Sequence, residues 1–531
     1  MAITQQGTLN TTALVVPGIY INVVPPGLLA INGVPSNLVG VVGTATWGPV
    51  GLPVTCSGPS DCTQAFGPMQ NRKYDLGTQV ATSAAQLANN FACVRATDGT
   101  DVAASVVVLT NCITFSARYT GSLGNSVTVT LANGSRGTTF KATVQIGGGV
   151  TTFPAPLSEV FDNLAAGLTG NAVWIAIAAA VNSGVSAFRP ASKIITAAAG
   201  VGITAPALGV NTMAGGLDGA STPALVAATP TLILGTDVAP RTGMYALRGK
   251  NCALLIVADM DTSSAWTTVD AFAQSEGIYA IQTGPAGDTV SNAAATLGAA
   301  GVSSYTTKMM FGDWVYWLDG VNNLTRLVSP QGFLAGRLAN LTPNRSSLNQ
   351  PIASIVGTQK SGAPGTTQAQ SYANSDLTVL FNGGLDVIGN PSPGGNYFSC
   401  LGGRNSSSNA VVNSDTYTRM TNYLASTLNG GMGKYVGQPI TTDLFNNIIG
   451  TLNNYLAGLT QQGLLTPNLA DGSPPYQVLC NASNNPQSRT SLGYVQADVQ
   501  VTYEGVNAQM IVNLQGGATI VTSKANQQTA V

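Results

Sequence analysis

Residues 252–258 read CALLIVA, and the stretch that follows decides the fold class. Seven apolar residues in a row suit a strand buried on both faces. Behind it, Trp266, Val269 and Phe272 or Ala273 return at helical spacing. Gly277 then opens a second strand, Ile278–Gln282. A helix over Val290–Ala300 and a strand over Met309–Trp317 complete strand–helix–strand–helix–strand, and Gly332–Asn340 reads as a further helix. That alternation marks a parallel sheet covered by helices. It predicts an α/β domain over residues 215–395.

Upstream the pattern changes. Ser126–Leu131 and Phe140–Ile146 alternate with period two, the mark of strands with one buried face. An Ala-rich helix is predicted at Asn171–Asn182. This β-rich block, residues 113–214, reads as an insertion. Ahead of it lie an apolar strand at Asn37–Ala45 and one helix, because Leu76, Val80, Ala84, Leu87 and Phe91 recur at helical spacing. Short strands follow at 92–95 and 105–110. Downstream of residue 396, Tyr417, Met420, Leu424 and Leu428 mark one helix. Leu444, Ile448, Leu452, Leu456 and Leu459 mark a longer one. Val495, Ala497, Val499, Val501 and Tyr503 then alternate with polar residues, and Met510, Val512 and Leu514 repeat the alternation. The first segment has too few strands for its own sheet. We therefore expect 23–112 and 396–517 to form one mixed α+β domain, with the β-rich and α/β blocks inserted and pointing outward.

Both ends are unusual. Residues 13–25, ALVVPGIYINVVP, are β-branched and aromatic and interrupted by Pro17. Asp61 is the single charged side chain before Arg72, and Lys524 the single one after Glu504. Edge strands usually carry charges that block pairing with another chain. These ends, arms over 1–22 and 518–531, lack that protection. The expected intersubunit strand on the N-terminal side uses Val15, Val16, Ile19, Tyr20, Ile21 and Val23, and the C-terminal one uses Ile520 and Val521. The expected acceptor sheet presents Val495, Val499, Val501, Tyr503, Met510, Val512 and Leu514.

Composition narrows the function. Charged residues are 8% of the 531, against roughly 25% in a typical soluble protein. A net charge of −1 offers no footprint for nucleic acid. The longest apolar run, 172–181, falls short of the ~20 residues a membrane-spanning helix needs. No basic region precedes an apolar core, so we expect no signal peptide and a cytoplasmic origin. With no histidine, a Ser-His-Asp triad or Cys-His pair is excluded. Gly243–Lys250 has five residues between its glycines where a phosphate-binding loop needs four. Gly200–Ala205 runs straight into Pro206, not into a helix. Asp259 and Asp261 read as a turn and helix cap. We expect no catalytic site, no cofactor and no metal. Seven cysteines, none in a C-x-x-C pair, make zinc improbable; Cys56 and Cys62 flank a Gly-Pro loop and are candidates for a disulfide.

Together these pieces resemble the tail sheath proteins of contractile-tailed bacteriophages. Pro17-Gly18-Ile19-Tyr20 resembles the N-terminal P-G-V-Y strand of that family. Val39–Gly43 with Gly48-Pro49 and Pro53 resembles its next strand and turn, and Phe66-Gly67 and Phe91–Arg95 follow in place. Ala117–Asn125, ARYTGSLGN, is similar to the A-R-Y-x-G-x-x-G-N lead-in of its inserted β domain. Gly215–Gly219 resembles the G-G-x-D-G start of its α/β domain, and Pro330, Gly332 and Ala335-Gly336 its P-x-G-x-x-A-G turn. Trp47, where many relatives are basic, and the acid-poor segment 340–351 depart from the pattern.

The resemblance implies a non-catalytic subtilisin-like fold for the α/β domain and a lattice-forming domain built from both chain ends. It also implies a structural subunit that polymerises with itself around a tail tube protein, alongside baseplate and tail terminator proteins, in a virion tail assembled in bacterial cytoplasm. Contraction would drive the tube through the host envelope, with no nucleic-acid or membrane binding by the sheath itself. Two other readings share some of these features: a sheath of an R-type bacteriocin, and a secreted α/β hydrolase with β accessory domains.

Overall fold

A computed structural model of the chain describes residues 3–6, 20–23, 31, 33–150, 153, 157–220, 222–364, 371–512 and 514. Near its start, β1 (Ile3–Gln6) and β2 (Tyr20–Val23) pair in parallel, Ile3 opposite Tyr20. Then come β3 (Val39–Gly43), β4 (Pro53–Cys56), α1 (Pro59–Phe66), α2 (Leu76–Ala84) and β5 (Phe91–Arg95). The Asp75 carboxylate caps α2 by accepting from the Thr78 N–H at 2.8 Å. Here the periodicity misleads. The helix stops at Ala84, Leu87 turns at φ 71° and is exposed, and Phe91 begins a buried strand instead of a fourth turn. A residue buried in the next strand can continue a helical spacing by coincidence.

The β-rich unit follows. It holds β6 (Ser105–Val108), β7 (Ile113–Ala117), β8 (Thr128–Asn133), β9 (Phe140–Ile146), β10 (Leu157–Leu164), α3 (Asn171–Ser183), β11 (Ile195–Ala199) and β12 (Gly209–Thr212). Two sheets, in the orders β10-β9-β8-β12 and β11-β7-β6, enclose a core that includes Phe115, Val129, Val144, Phe161 and Trp174. The unit begins earlier than residue 113, because β6 pairs with β7 and Val102 bonds reciprocally to Leu217.

The α/β body runs through α4 (Pro223–Ala228), α5 (Thr231–Leu234), β13 (Leu254–Val257), α6 (Ser263–Glu276), β14 (Tyr279–Thr283), α7 (Val290–Ala300), β15 (Thr307–Met310), β16 (Val315–Asp319), β17 (Leu324–Val328), α8 (Gln331–Asn340), β18 (Ile355–Thr358), α9 (Asn374–Asn382), β19 (Leu385–Asp386), β20 (Ile388–Gly389) and β21 (Ser399–Cys400). Its main sheet has the order β19-β15-β14-β13-β3-β5-β4, parallel except for the last pair. The predicted single strand Met309–Trp317 is two: β15 lies in this sheet, and β16 pairs antiparallel with β17 and β18 in another.

This sheet corrects the expected domain plan. β3 lies against β13, Val39 opposite Leu254, and β5 and β4 follow outward. The segment 39–95 therefore completes the α/β body; it does not join 396–517. The C-terminal module has its own core, built from α10 (Asp415–Met432), α11 (Thr442–Gln461), β22 (Tyr476–Leu479), α12 (Gln487–Thr490) and β23 (Asp498–Val501). From the N-terminal side it receives Ile31, packed against both of its clusters, and Val34, whose N–H donates to Thr427 Oγ1 at 3.2 Å. Among the described residues no helix is long and apolar enough to cross a membrane.

The join of 39–95 to the body explains one motif. α2 packs directly on α8, and Gly332 and Gly336 form the contact. A Cβ on Gly336 would stand 2.3 Å from the Ser83 carbonyl oxygen and 2.6 Å from its Cα. Ser83 Oγ also donates to the Gly332 carbonyl at 2.9 Å. Gly336→Val should therefore cost about 1–3 kcal/mol or more, as overpacking does. Gly298→Ala on α7, with open space around it, should be neutral or stabilising by roughly 0.5–1 kcal/mol. Thermal melts of both variants test the contrast; equal melting temperatures would contradict the close approach.

Candidate assembly surface

Two polar clusters set how the units are held. The first joins the β-rich unit to the body. Arg95 is buried at the end of β5 and donates to three carbonyls: Gly48 at 3.0 Å, Thr120 at 2.6 Å and Asp218 at 3.0 Å. Burial pulls its guanidinium down to about 10, against the pull of the Asp101 and Asp218 charges. The Asp218 carboxylate accepts from Arg72 Nη1 at 2.6 Å and from the Ser122 N–H at 2.6 Å. Asn125 and Gly216 exchange two bonds of 3.1 and 2.7 Å. The ARYTGSLGN and GGLDG stretches are thus the two sides of one junction, where the chain leaves the body and returns. Gly121 sits in it at φ 126°, with the Thr46 carbonyl where a Cβ would be.

The second cluster joins the C-terminal module to the body. Lys308 on β15 is fully buried and donates to Asp386 Oδ2 at 2.7 Å, Asp415 Oδ1 at 3.1 Å and the Arg404 carbonyl at 3.0 Å. Asp415 opens α10 and also accepts from Tyr279 Oη at 2.6 Å and from the Ser347 N–H and hydroxyl. Asp386 accepts from the backbone N–H groups of Gly402 and Arg404 at 2.8 and 3.0 Å. Burial alone would lower the lysine, but the two carboxylates hold it above its ordinary value. Burial would raise Asp415, and Lys308, Ser347 and Tyr279 hold it below. One turn along α10, Arg419 donates to the carbonyls of Thr342 at 2.9 Å and Leu341 at 2.8 Å. Sequence reasoning missed this cluster. Its signal was a lysine inside an apolar strand of a chain that uses few charges.

The C-terminal module carries the expected acceptor residues, but not as one long sheet. β23 covers only Asp498–Val501 and pairs antiparallel with β22, Tyr476 opposite Val501. The strand at 476–479 was not foreseen. Val495 and Val499 pack in one cluster with Ile448 and Leu452 of α11; Val499, Val501 and Tyr503 pack in a second, with Met420 and Leu424 of α10 and Leu456 of α11. Met510, Val512 and Leu514 lie outside any strand and are 80%, 70% and 94% exposed, which removes them from the folded sheet. A groove of about 660 Å³ opens between α10, α11 and β23, lined by Leu428, Met432, Tyr435, Leu444 and Ile448 among others. Among the described residues no third strand joins β22 and β23. Tyr20, Ile21 and Val23 belong to β2; Val15, Val16, Ile19, Ile520 and Val521 lie outside the described residues.

The cysteine expectation changes. Cys56 and Cys62, the two that flank the Gly-Pro loop, are both buried, and all seven cysteines are free thiols. Asp259 accepts from the Tyr74 N–H at 3.1 Å and from Gln79 at 2.9 Å, and Asp261 pairs with Lys73 at 2.8 Å, so both carboxylates serve the fold. Gly243–Leu247 forms a short 3-10 turn.

No protein-family model matches the chain, and no curated protein does. Solved structures do. The sheath tail protein of Desulfitobacterium hafniense matches at 15% identity over 88% of this chain and 94% of its own, with a TM-score of 0.57. A sheath tail protein of Listeria innocua matches at 12% identity over 85% and 90%, with a TM-score of 0.58. The sheath of an extracellular contractile injection system, PVC, in its contracted state, matches at 12% identity over 96% and 99%, with a TM-score of 0.52. The chain is a mixed α+β multidomain protein with the fold of contractile sheath proteins.

Proposed function

We propose that this chain is the structural subunit of a contractile tail sheath. Many copies wrap a tail tube as stacked rings in an extended, metastable state. A signal from the baseplate shortens the sheath and drives the tube through the envelope of the target cell. The observation that carries this reading is the likeness of almost the whole chain to sheath proteins in three separate solved structures. The α/β body corresponds to the subtilisin-like part of that fold and works without catalysis, since the chain has no histidine to build a triad. The free energy of contraction lies in contacts between subunits.

The C-terminal module is the lattice contact in this reading. A two-stranded ribbon is marginal alone and gains by pairing with further strands. The charge-poor arms at both chain ends supply them: the segment around β2 from one neighbour, the segment around 518–522 from another. Partners are other copies of the chain, the tube protein and baseplate and terminator proteins, within a phage particle assembled in a bacterial cytoplasm. The likeness to the PVC sheath supports the same mechanical role in a genome-free injection device, and a capsid gene beside this one would separate the two. Electron microscopy of the purified protein tests the proposal: tubes or rings are expected, and persistent monomers at all concentrations would overturn it.

A further inference from the structure

We propose that Cys56, Cys62 and Cys93 form a three-sulfur site for one thiophilic d10 cation, of which Cu+ best matches a set of three donors. The three come from separate elements: the end of β4, the middle of α1 and the centre of β5. Their Sγ atoms all lie within 4.8 Å of one another, and the side chains are 1%, 2% and 0% exposed. Sulfurs bound to a single ion at ~2.3 Å stand roughly 3.8–4.0 Å apart.

The surroundings choose the ion. Phe66, Leu76, Val80 and Phe91 belong to the same apolar cluster. The group contains no carboxylate, and the chain has no histidine. Soft sulfur donors select Cu+ and Zn2+ over hard cations. Zn2+ takes four ligands in a closed structural site. Here three sulfurs converge in a buried apolar pocket, which suits three-coordinate Cu+. Binding replaces S–H with S–Cu bonds, and each sulfur that becomes a thiolate releases one proton to solvent. No electron is transferred. Uptake therefore weakens as pH falls. A bound ion would tie α1 and the outermost strand of the main sheet to β5.

The test uses the full chain, purified with reductant and stripped by a chelator. It is titrated with Cu+ supplied as its acetonitrile complex, in competition with bathocuproine disulfonate. One equivalent retained after gel filtration, with a thiolate-to-copper charge-transfer band, is expected. Cys56→Ser, Cys62→Ser and Cys93→Ser should each lose affinity by more than about tenfold, while Cys112→Ser and Cys252→Ser keep it. In the unsubstituted chain, where no variant can misfold, Cu+ should raise the melting temperature, and the rise should disappear on acidification. Absence of retained copper in the parent chain, or equal retention in the three serine variants, would overturn the site. So would uptake of one Zn2+ in preference to Cu+, or a disulfide among the three in non-reducing mass spectrometry.

Discussion

Lys308→Met is expected to lower the stability of the folded chain by about 3–5 kcal/mol, the cost of breaking a buried ion pair from one side. The lysine lies at 0% exposure between Asp386 and Asp415, and methionine fills its volume while leaving two buried carboxylates without their cation. Urea unfolding at neutral pH reads the loss. Its pH dependence separates charge from packing. Lys308 is held above its ordinary value, so its contribution is complete below the ordinary lysine range and fades as pH rises through the raised one. Asp415 is held below its ordinary value, so its contribution is complete above the ordinary carboxylate range and is lost as pH falls through the lowered one. The cluster thus stabilises across the whole neutral range. In the methionine variant Asp415, buried without its cation, can regain neutrality by taking up a proton. The deficit against the parent should then shrink as pH falls from 8 toward 5. A deficit that stays flat over that window would mean lost packing, not lost charge. Adding Asp415→Asn to Lys308→Met should recover about 1 kcal/mol or more, since the two sites share one network.

Deleting residues 1–24 or 516–531 should yield folded, soluble chains that fail to build long tubes. The described cores of the body and the C-terminal module lie between Ile31 and Tyr503. What the ends supply, on the proposed reading, is strand pairing with neighbours. Each net hydrogen bond is worth about 1 kcal/mol, but several per arm, with two arms per subunit over many subunits, would hold a sheath together. The links beside them, Pro25-Pro26-Gly27 and Gly516-Gly517, let an arm change angle while its pairing persists. Rings that slide and turn need that combination. Negative-stain microscopy and size-exclusion chromatography of each truncation give the answer. Normal tubes from either one would remove that arm from the lattice.

Much of the secondary structure was readable because its causes are local. Helix Val290–Ala300 was placed at its observed ends, where Thr289 accepts from the Asn292 N–H and Gly301 adopts φ 70°. Strand Phe140–Ile146 was placed the same way, from alternation that the buried face of the β-rich unit enforces. The C-terminal ribbon was half readable. Alternation marked 495–503, but nothing local said that the run would pair only over 498–501, or that its partner would be 476–479. Met510 to Leu514 shows the limit of the same signal: alternation without a partner surface leaves the side chains in solvent.

Strand partnership in the main sheet was out of reach for a physical reason. A strand buried on both faces is apolar throughout, and its backbone offers the same donors and acceptors to any neighbour. Val39–Gly43 could pair with almost any strand of this chain; packing of α2 on the Gly332–Gly336 face of α8 puts it beside Leu254–Val257. The sequence by itself determined many of the element types, the scarcity of charge at both ends and the exclusion of histidine chemistry, because each depends on spacing or composition. The tertiary structure decided that 39–95 belongs to the body, that Lys308 meets Asp386 and Asp415, and that three cysteines 6 to 37 residues apart share one pocket. Those meetings join positions far apart in the chain, and no local periodicity records them.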